Sequence, residues 1–186
     1  MRILHLTNKD YKTSTWSGGT TTELFIWPQD ANYATRAFSF RVSSASVDLA
    51  ESDFTTLPGV QRWITPLQGG FTLTHPGCAP VEMESLDDPY CFSGEIATHC
   101  AGKATDFNLM LKGTAGKMSV CRGETAILPG FNCFYATADT VFHLERQHSM
   151  AAGDLLVIFS HQEATIDLGH APAIVCRAEV AQWENI

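Results

Sequence analysis

The chain has 186 residues, 45% of them hydrophobic, with a formal net charge of −8. That is a globular composition with enough chain for one large or two small domains, and it excludes a disordered segment. Only 12 Lys and Arg are present, thinly scattered, so nucleic acid and anionic membrane lack the basic face they need. No run of 18 apolar residues is available for a membrane-spanning helix.

In chain order, "MRILHLTNKDYK" offers Arg2 and a short apolar patch before Asn8 and Lys9. The patch is too short for an export-signal core, which predicts a cytoplasmic protein. "WSGGTTTELFIWP" places Trp16 before a Gly18-Gly19 turn, with Thr21 and Glu23 sharing a parity beyond it. "AFSFRVSSASV" alternates, with Phe38, Phe40 and Val42 on one face and Ser39, Arg41 and Ser43 on the other. "SVDLAESDF" predicts a short helical turn.

In "FTTLPGVQRWITPLQGG", two strand-like runs flank the Pro58-Gly59 turn, and Arg62 follows that turn. "FTLTH" then runs to a Pro76-Gly77 turn. "DFNLML" puts Asp106, Asn108 and Met110 on one face and Phe107, Leu109 and Leu111 on the other. "KMSVCRGETAILPG" reads as strand, turn at Gly123, strand, turn. "TVFHLERQ" reads as a strand, "DLLVIFS" as a strand buried on both sides, and "EVAQW" as a final strand or helical tail. Short strands at spacings near ten residues predict an all-β sandwich or barrel. Six cysteines without a C-x-x-C, in a chain of this size, predict mostly buried reduced thiols rather than a disulfide scaffold.

The motifs present and absent narrow the chemistry. No His-x-His is present, and "FHLERQH" aligns only His143 and Glu145 on one strand face. No histidine follows the skeleton Gly123 to Gly130 within the next few residues, so no catalytic metal is expected. No G-x-S-x-G and no P-loop occur. What remains is polar residues embedded in apolar strands: Arg41, Arg62, Asp106, Asn108, Glu23, Thr21 and Ser43. A lumen lined by such groups suits a small anion, because guanidinium pairs bidentately with carboxylate. The bland readings are a solvated outer face on each strand or an internal ion pair that binds nothing.

"WSGGTTTEL", "FSFRVSSASV", "FTTLPGVQR", "FSGE" and "DFNLM", in this order from Trp16 to Met110, resemble the HutD/Ves family, with "WSGG" nearer its Ves branch. The resemblance implies a bicupin: two antiparallel β-barrel (jelly-roll-like) halves in one compact chain, approximately 1–105 and 106–186, without metal or cofactor. It implies that Arg62 faces a pocket for small carboxylates such as formylglutamate or urocanate. It matches Arg41, Asp106, Asn108 and Glu23 to family positions as pocket or scaffold groups. Trp16, Thr21 and Ser43 complete the expected ligand-binding set. It also implies a governing or stress-related role, notably in cold, rather than catalysis.

Three functions compete: a metal-free carboxylate-binding protein; a small-acid isomerase or lyase with Glu23 or Asp106 as base and Arg62 as anion clamp; and a metal-dependent cupin enzyme with His143, Glu145 and one distant histidine as ligands. Cupin-type barrels often dimerise, so a second copy of the chain is a candidate partner.

Overall fold

In the computed structural model, residues 1–180 are described. They contain nineteen strands and a single 3-10 turn, Tyr33–Thr35. The strands are β1 (Arg2–Leu6), β2 (Lys12–Trp16), β3 (Gly19–Trp27), β4 (Phe40–Val47), β5 (Glu51–Asp53), β6 (Val60–Gly69), β7 (Phe71–Thr74), β8 (Val81–Met83), β9 (Tyr90–Ser93), β10 (His99–Ala101) and β11 (Ala104–Lys112). There follow β12 (Ala115–Cys121), β13 (Glu124–Ile127), β14 (Gly130–Ala136), β15 (Thr140–His143), β16 (Gln147–Met150), β17 (Leu155–Ser160), β18 (Ala164–Asp167) and β19 (Ala173–Glu179).

The chain forms two compact units, one of Lys12–Gly113 and one of Met1–Tyr11 with the chain from Thr114 onward. The strand that a division at 105/106 would cut, β11, lies whole in the first unit, because β4 and β6 pair with it along its length. Each unit is a pair of antiparallel sheets rather than one closed barrel, and both have the cupin-type arrangement. The first has a six-stranded sheet, β2-β3-β4-β11-β6-β9, and a four-stranded one, β5-β10-β7-β8. The second has a five-stranded sheet, β1-β17-β14-β19-β12, and a four-stranded one, β13-β18-β15-β16.

In the first unit Ile64 and Phe92 of the large sheet pack with Phe71, Leu73, Met83 and Cys100 of the small sheet or beside it. A second cluster joins Ile26, Phe38, Leu57, Val60 and Met110. In the second unit Phe134, Leu156, Ile158 and Val175 meet Ile127, Phe142, Met150 and Ile166. Burying a side chain of this size contributes about 1.5–3 kcal/mol. All six residues of β17 are buried, as its unbroken apolar run predicts.

Two glycines are required by backbone geometry. Gly19 has φ +152, and a Cβ there would sit 1.9 Å from the Ser46 carbonyl oxygen, where β3 meets β4. Gly59, at φ +72, supplies the left-handed residue of the turn before β6.

Several expectations are corrected. "SVDLAESDF" is not helical: it ends β4, bends, and forms β5, which pairs with β10. "FTTL" before the Pro58-Gly59 turn is not a strand. "TVFHLERQ" breaks after His143, and Glu145 lies in the bend before β16, so His143 and Glu145 do not share a strand face. All six cysteines are free; Cys100, Cys133 and Cys176 are buried, whereas Cys78 is exposed. The last residues of "EVAQW", from 181, lie outside the described residues. Among the described residues no helix is long and apolar enough to cross a membrane.

Candidate functional site

The site is built by pleat and register. In an antiparallel sheet, directly opposed residues point to the same face. Met110 of β11 is opposed by Arg41 of β4 and by Arg62 of β6. Two residues along, Asn108 is opposed by Ser43, which in turn opposes Glu23 of β3. Two further, Asp106 opposes Ala45, Ala45 opposes Thr21, and Thr21 opposes Ser14 of β2. One face of the six-stranded sheet therefore carries Arg41, Arg62, Asp106, Asn108, Ser43, Glu23 and Thr21 together. The opposite parity carries Phe40, Val42, Phe107, Leu109 and Leu111, all essentially inaccessible. That apolar set fixes which way the polar set faces.

This face lines a cavity of about 360 Å³, with Trp16, Thr21, Arg41, Ser43, Arg62, Asp106 and Asn108 in its wall. Arg41 and Arg62 are 5% and 6% exposed, and Asp106 and Asn108 are 4% exposed. The solvated-face reading is excluded for all four. Trp16, on edge strand β2, stands at the rim and is 40% exposed. Glu23 does not line the cavity, because its carboxylate is taken up by Arg41.

The two arginines have different partners. Arg41 Nε donates to Glu23 Oε2 at 2.7 Å, and its Nη1 donates to Ser43 Oγ at 3.1 Å. Its guanidinium lies 4.2 Å from the Tyr33 ring centre. Arg62 Nη2 donates to Asn108 Oδ1 at 3.0 Å, and Asn108 Nδ2 donates in turn to Asp106 Oδ1. The Arg62 guanidinium is stacked on aromatic rings, 4.5 Å from Phe54 and 5.3 Å from Phe92. Its Nε is buried and has no hydrogen-bond partner.

Burial pushes the Asp106 carboxyl up to about 7, against the opposing pull of Arg62, the Asn108 amide and the Ala45 backbone N–H. Burial also lowers the proton affinity of the Arg62 guanidinium, and Asp106 partly restores it. Cys100 is raised to about 11, first by burial and then by Asp106, with Arg62 opposing. It stays a thiol at neutral pH.

Tyr33, Phe54, Asp53 and Met110 also line the cavity. Strand parity already places Met110 on the face of Asp106 and Asn108, while the sequence marked none of the other three. Tyr33 sits in the 3-10 turn and Phe54 in an irregular segment, where no periodicity marks a direction. Among the described residues no cluster of three or more His, Cys, Asp or Glu side chains could hold a metal ion.

Paired antiparallel sandwiches, one of them holding a cavity into which buried polar side chains project, define a cupin-type protein with two cupin units. The HutD family model matches residues 8–176, and the chain belongs to the HutD family. Its structure is similar to a conserved protein of unknown function from Pseudomonas aeruginosa PAO1, at 25% identity and TM-score 0.80, covering 96% of this chain and 98% of that one. It is similar to HutD from Pseudomonas fluorescens SBW25 in a formate condition, at 22% identity and TM-score 0.80, covering 95% and 98%. It shares the fold of YlbA from Escherichia coli, at 11% identity and TM-score 0.67, covering 98% and 93%. No curated protein matches the chain.

Proposed function

We propose that the protein binds a small carboxylate in the cavity of its first unit, without metal. In this reading it acts as a cytoplasmic governor or stress-related binding protein rather than a catalyst. The observation that carries the reading is Arg62: a guanidinium 6% exposed, beside a cavity, with its Nε unpartnered. A buried cation with no carboxylate in direct contact is costly, and a ligand carboxylate relieves that cost. Arg41 and Ser43 form part of the wall, with Glu23 holding Arg41 from behind it, Asn108 orients Arg62, and Thr21 and Trp16 line the cavity. The stress role is supported by the likeness of "WSGG" to the Ves branch alone.

The test is thermal unfolding of wild type and Arg62→Met with a panel of acids. The panel includes formate, named in the condition of the Pseudomonas fluorescens structure, with N-formylglutamate and urocanate. An acid at a hundred times its Kd stabilises wild type by about 2.7 kcal/mol, a rise of roughly 5–10 °C. The reading fails if no acid shifts wild type, or if Arg62→Met responds equally.

One observation favours a second reading. A carboxyl titrating at about 7 inside a cavity is what a general acid or base requires, and Asp106 meets that description. Mass spectrometry of a metabolite mixture incubated with wild type and Asp106→Asn decides it: turnover lost in the variant makes the protein an enzyme.

A further inference from the structure

Asp106 sits on the central strand of the cavity wall, yet no cation touches it. Among the described residues, the ion pairs of this unit are Arg41 with Glu23, and His99 with Asp53 and Glu51. Arg62 reaches Asp106 only through the Asn108 amide. The other donor to Asp106 is the Ala45 backbone N–H, which is also neutral. The site thus holds one compensated pair, Arg41 with Glu23, and one loosely coupled buried pair, Arg62 with Asp106. Adding a carboxylate would leave two negative groups on a single buried guanidinium, and two carboxylates that share such a site do not both stay ionised.

We infer that Asp106 carries a proton in the ligand-bound site, so that wherever Asp106 is ionised in the free protein a carboxylate ligand enters together with one proton from solvent. This inference rests on the carboxylate-binding reading above. Arg62 then faces one negative charge, and the Asp106 hydroxyl becomes a donor facing the ligand. The carboxyl's position near 7 means that the proton is available at neutral pH without large cost. The same arrangement makes binding respond to pH, because ionised Asp106 has to be protonated before the anion is accepted.

Other groups face Asp106 or border its cavity. Arg41 and Glu23 compensate each other, Cys100 stays protonated, and Tyr33 stacks on Arg41. Asp53 lines the cavity and is bonded to His99 at 2.9 Å. His75 stacks beside Phe92, 5.2 Å between ring centres, and does not line the cavity. Histidine is the other residue type that changes charge near neutrality, so His99 has to be separated from Asp106.

The experiment is calorimetry of formate and N-formylglutamate binding to the full chain from pH 5.5 to 8.5, in pairs of buffers with different ionisation enthalpies. Both probes stay ionised throughout. Wild type is expected to bind with constant affinity at the acid end and to weaken toward tenfold per pH unit above about 7. Uptake should approach one proton per ligand in that upper range. Asp106→Asn should bind without pH dependence, and His99→Gln should keep the wild-type profile. Binding by wild type that is independent of pH and takes up no proton overturns the inference, as does a profile that moves with His99. Absence of binding to wild type at every pH overturns the carboxylate reading itself, a different result. If Asp106→Asn does not fold, the wild-type proton uptake and a carbon-13 titration of the Asp106 carboxyl still decide.

Discussion

The two ends of the cavity wall begin alike and finish differently. Arg41 and Arg62 oppose the same residue, Met110, from either side of β11, and both are buried. At Arg41 the next strand outward is β3, whose Glu23 places a carboxylate on the guanidinium. At Arg62 the next strand outward is β9, which sets Phe92 directly opposite. An acidic neighbour makes the first arginine part of the scaffold. An aromatic neighbour leaves the second held in place by stacking, with hydrogen-bonding capacity unused. The lesson is that an arginine's role is decided by the strand beside it, not by its own strand.

The comparison breaks most visibly at the scaffold end. Arg41→Met removes one partner of a nearly buried ion pair and leaves Glu23 uncompensated, which should cost about 3–5 kcal/mol. Urea unfolding of the variant measures this. Glu23→Gln should destabilise in the same direction, and the double variant Arg41→Met with Glu23→Gln should recover part of the loss. Additive losses would show that the pair is not coupled and that the two ends of the wall are equivalent.

A slightly smaller effect belongs to Asp106. Its carboxyl rises from the ordinary value of 3.8 to about 7 in the folded chain. Between those values the folded state keeps a proton that the unfolded state has lost. Stability therefore falls as pH rises through this window and levels off above it. From pH 5 to 7 the contribution is about 2–3 kcal/mol. It is read as the difference between wild type and Asp106→Asn unfolded at each pH, which cancels the other titrating groups. An Asp106 held ionised by a cation in direct contact would give no slope between pH 5 and 7, and stability that rises with pH only below about 4.

This contrast also marks where the sequence was informative. Strand parity is a local property, so "FSFRVSSASV" and "DFNLML" assign Arg41, Ser43, Asp106 and Asn108 to one face with no knowledge of neighbours. The apolar residues between them, Phe40, Val42, Phe107 and Leu109, are buried on the opposite face and hold that assignment. Which strand lies next to which is not local. The bond from Arg41 to Glu23 depends on the β3–β4 register, including a bulge between Glu23 and Phe25. The stacking of Phe54 on Arg62 depends on a segment with no period at all. Parity thus located the wall of the cavity, while partner identity, which separates scaffold from site, came from long-range pairing.

The smallest expected change sharpens the comparison furthest. Arg62→Met replaces a buried guanidinium that has one hydrogen bond to a side chain with an apolar side chain of similar length, against Phe54 and Phe92. A stacked, weakly bonded cation in an enclosed site roughly offsets its own desolvation, so stability should stay within about 1 kcal/mol of wild type and can rise. Asn108 loses its donor in this variant, and its amide oxygen then has the cavity to face. The same substitution that costs several kcal/mol at Arg41 should therefore be nearly silent at Arg62 until a carboxylate is added, when the wild type alone gains stability. Urea unfolding of both variants side by side, with and without formate, measures all four quantities. If Arg62→Met unfolds as readily as Arg41→Met, then Arg62 is structural, and the asymmetry between the two ends of the cavity has no functional meaning.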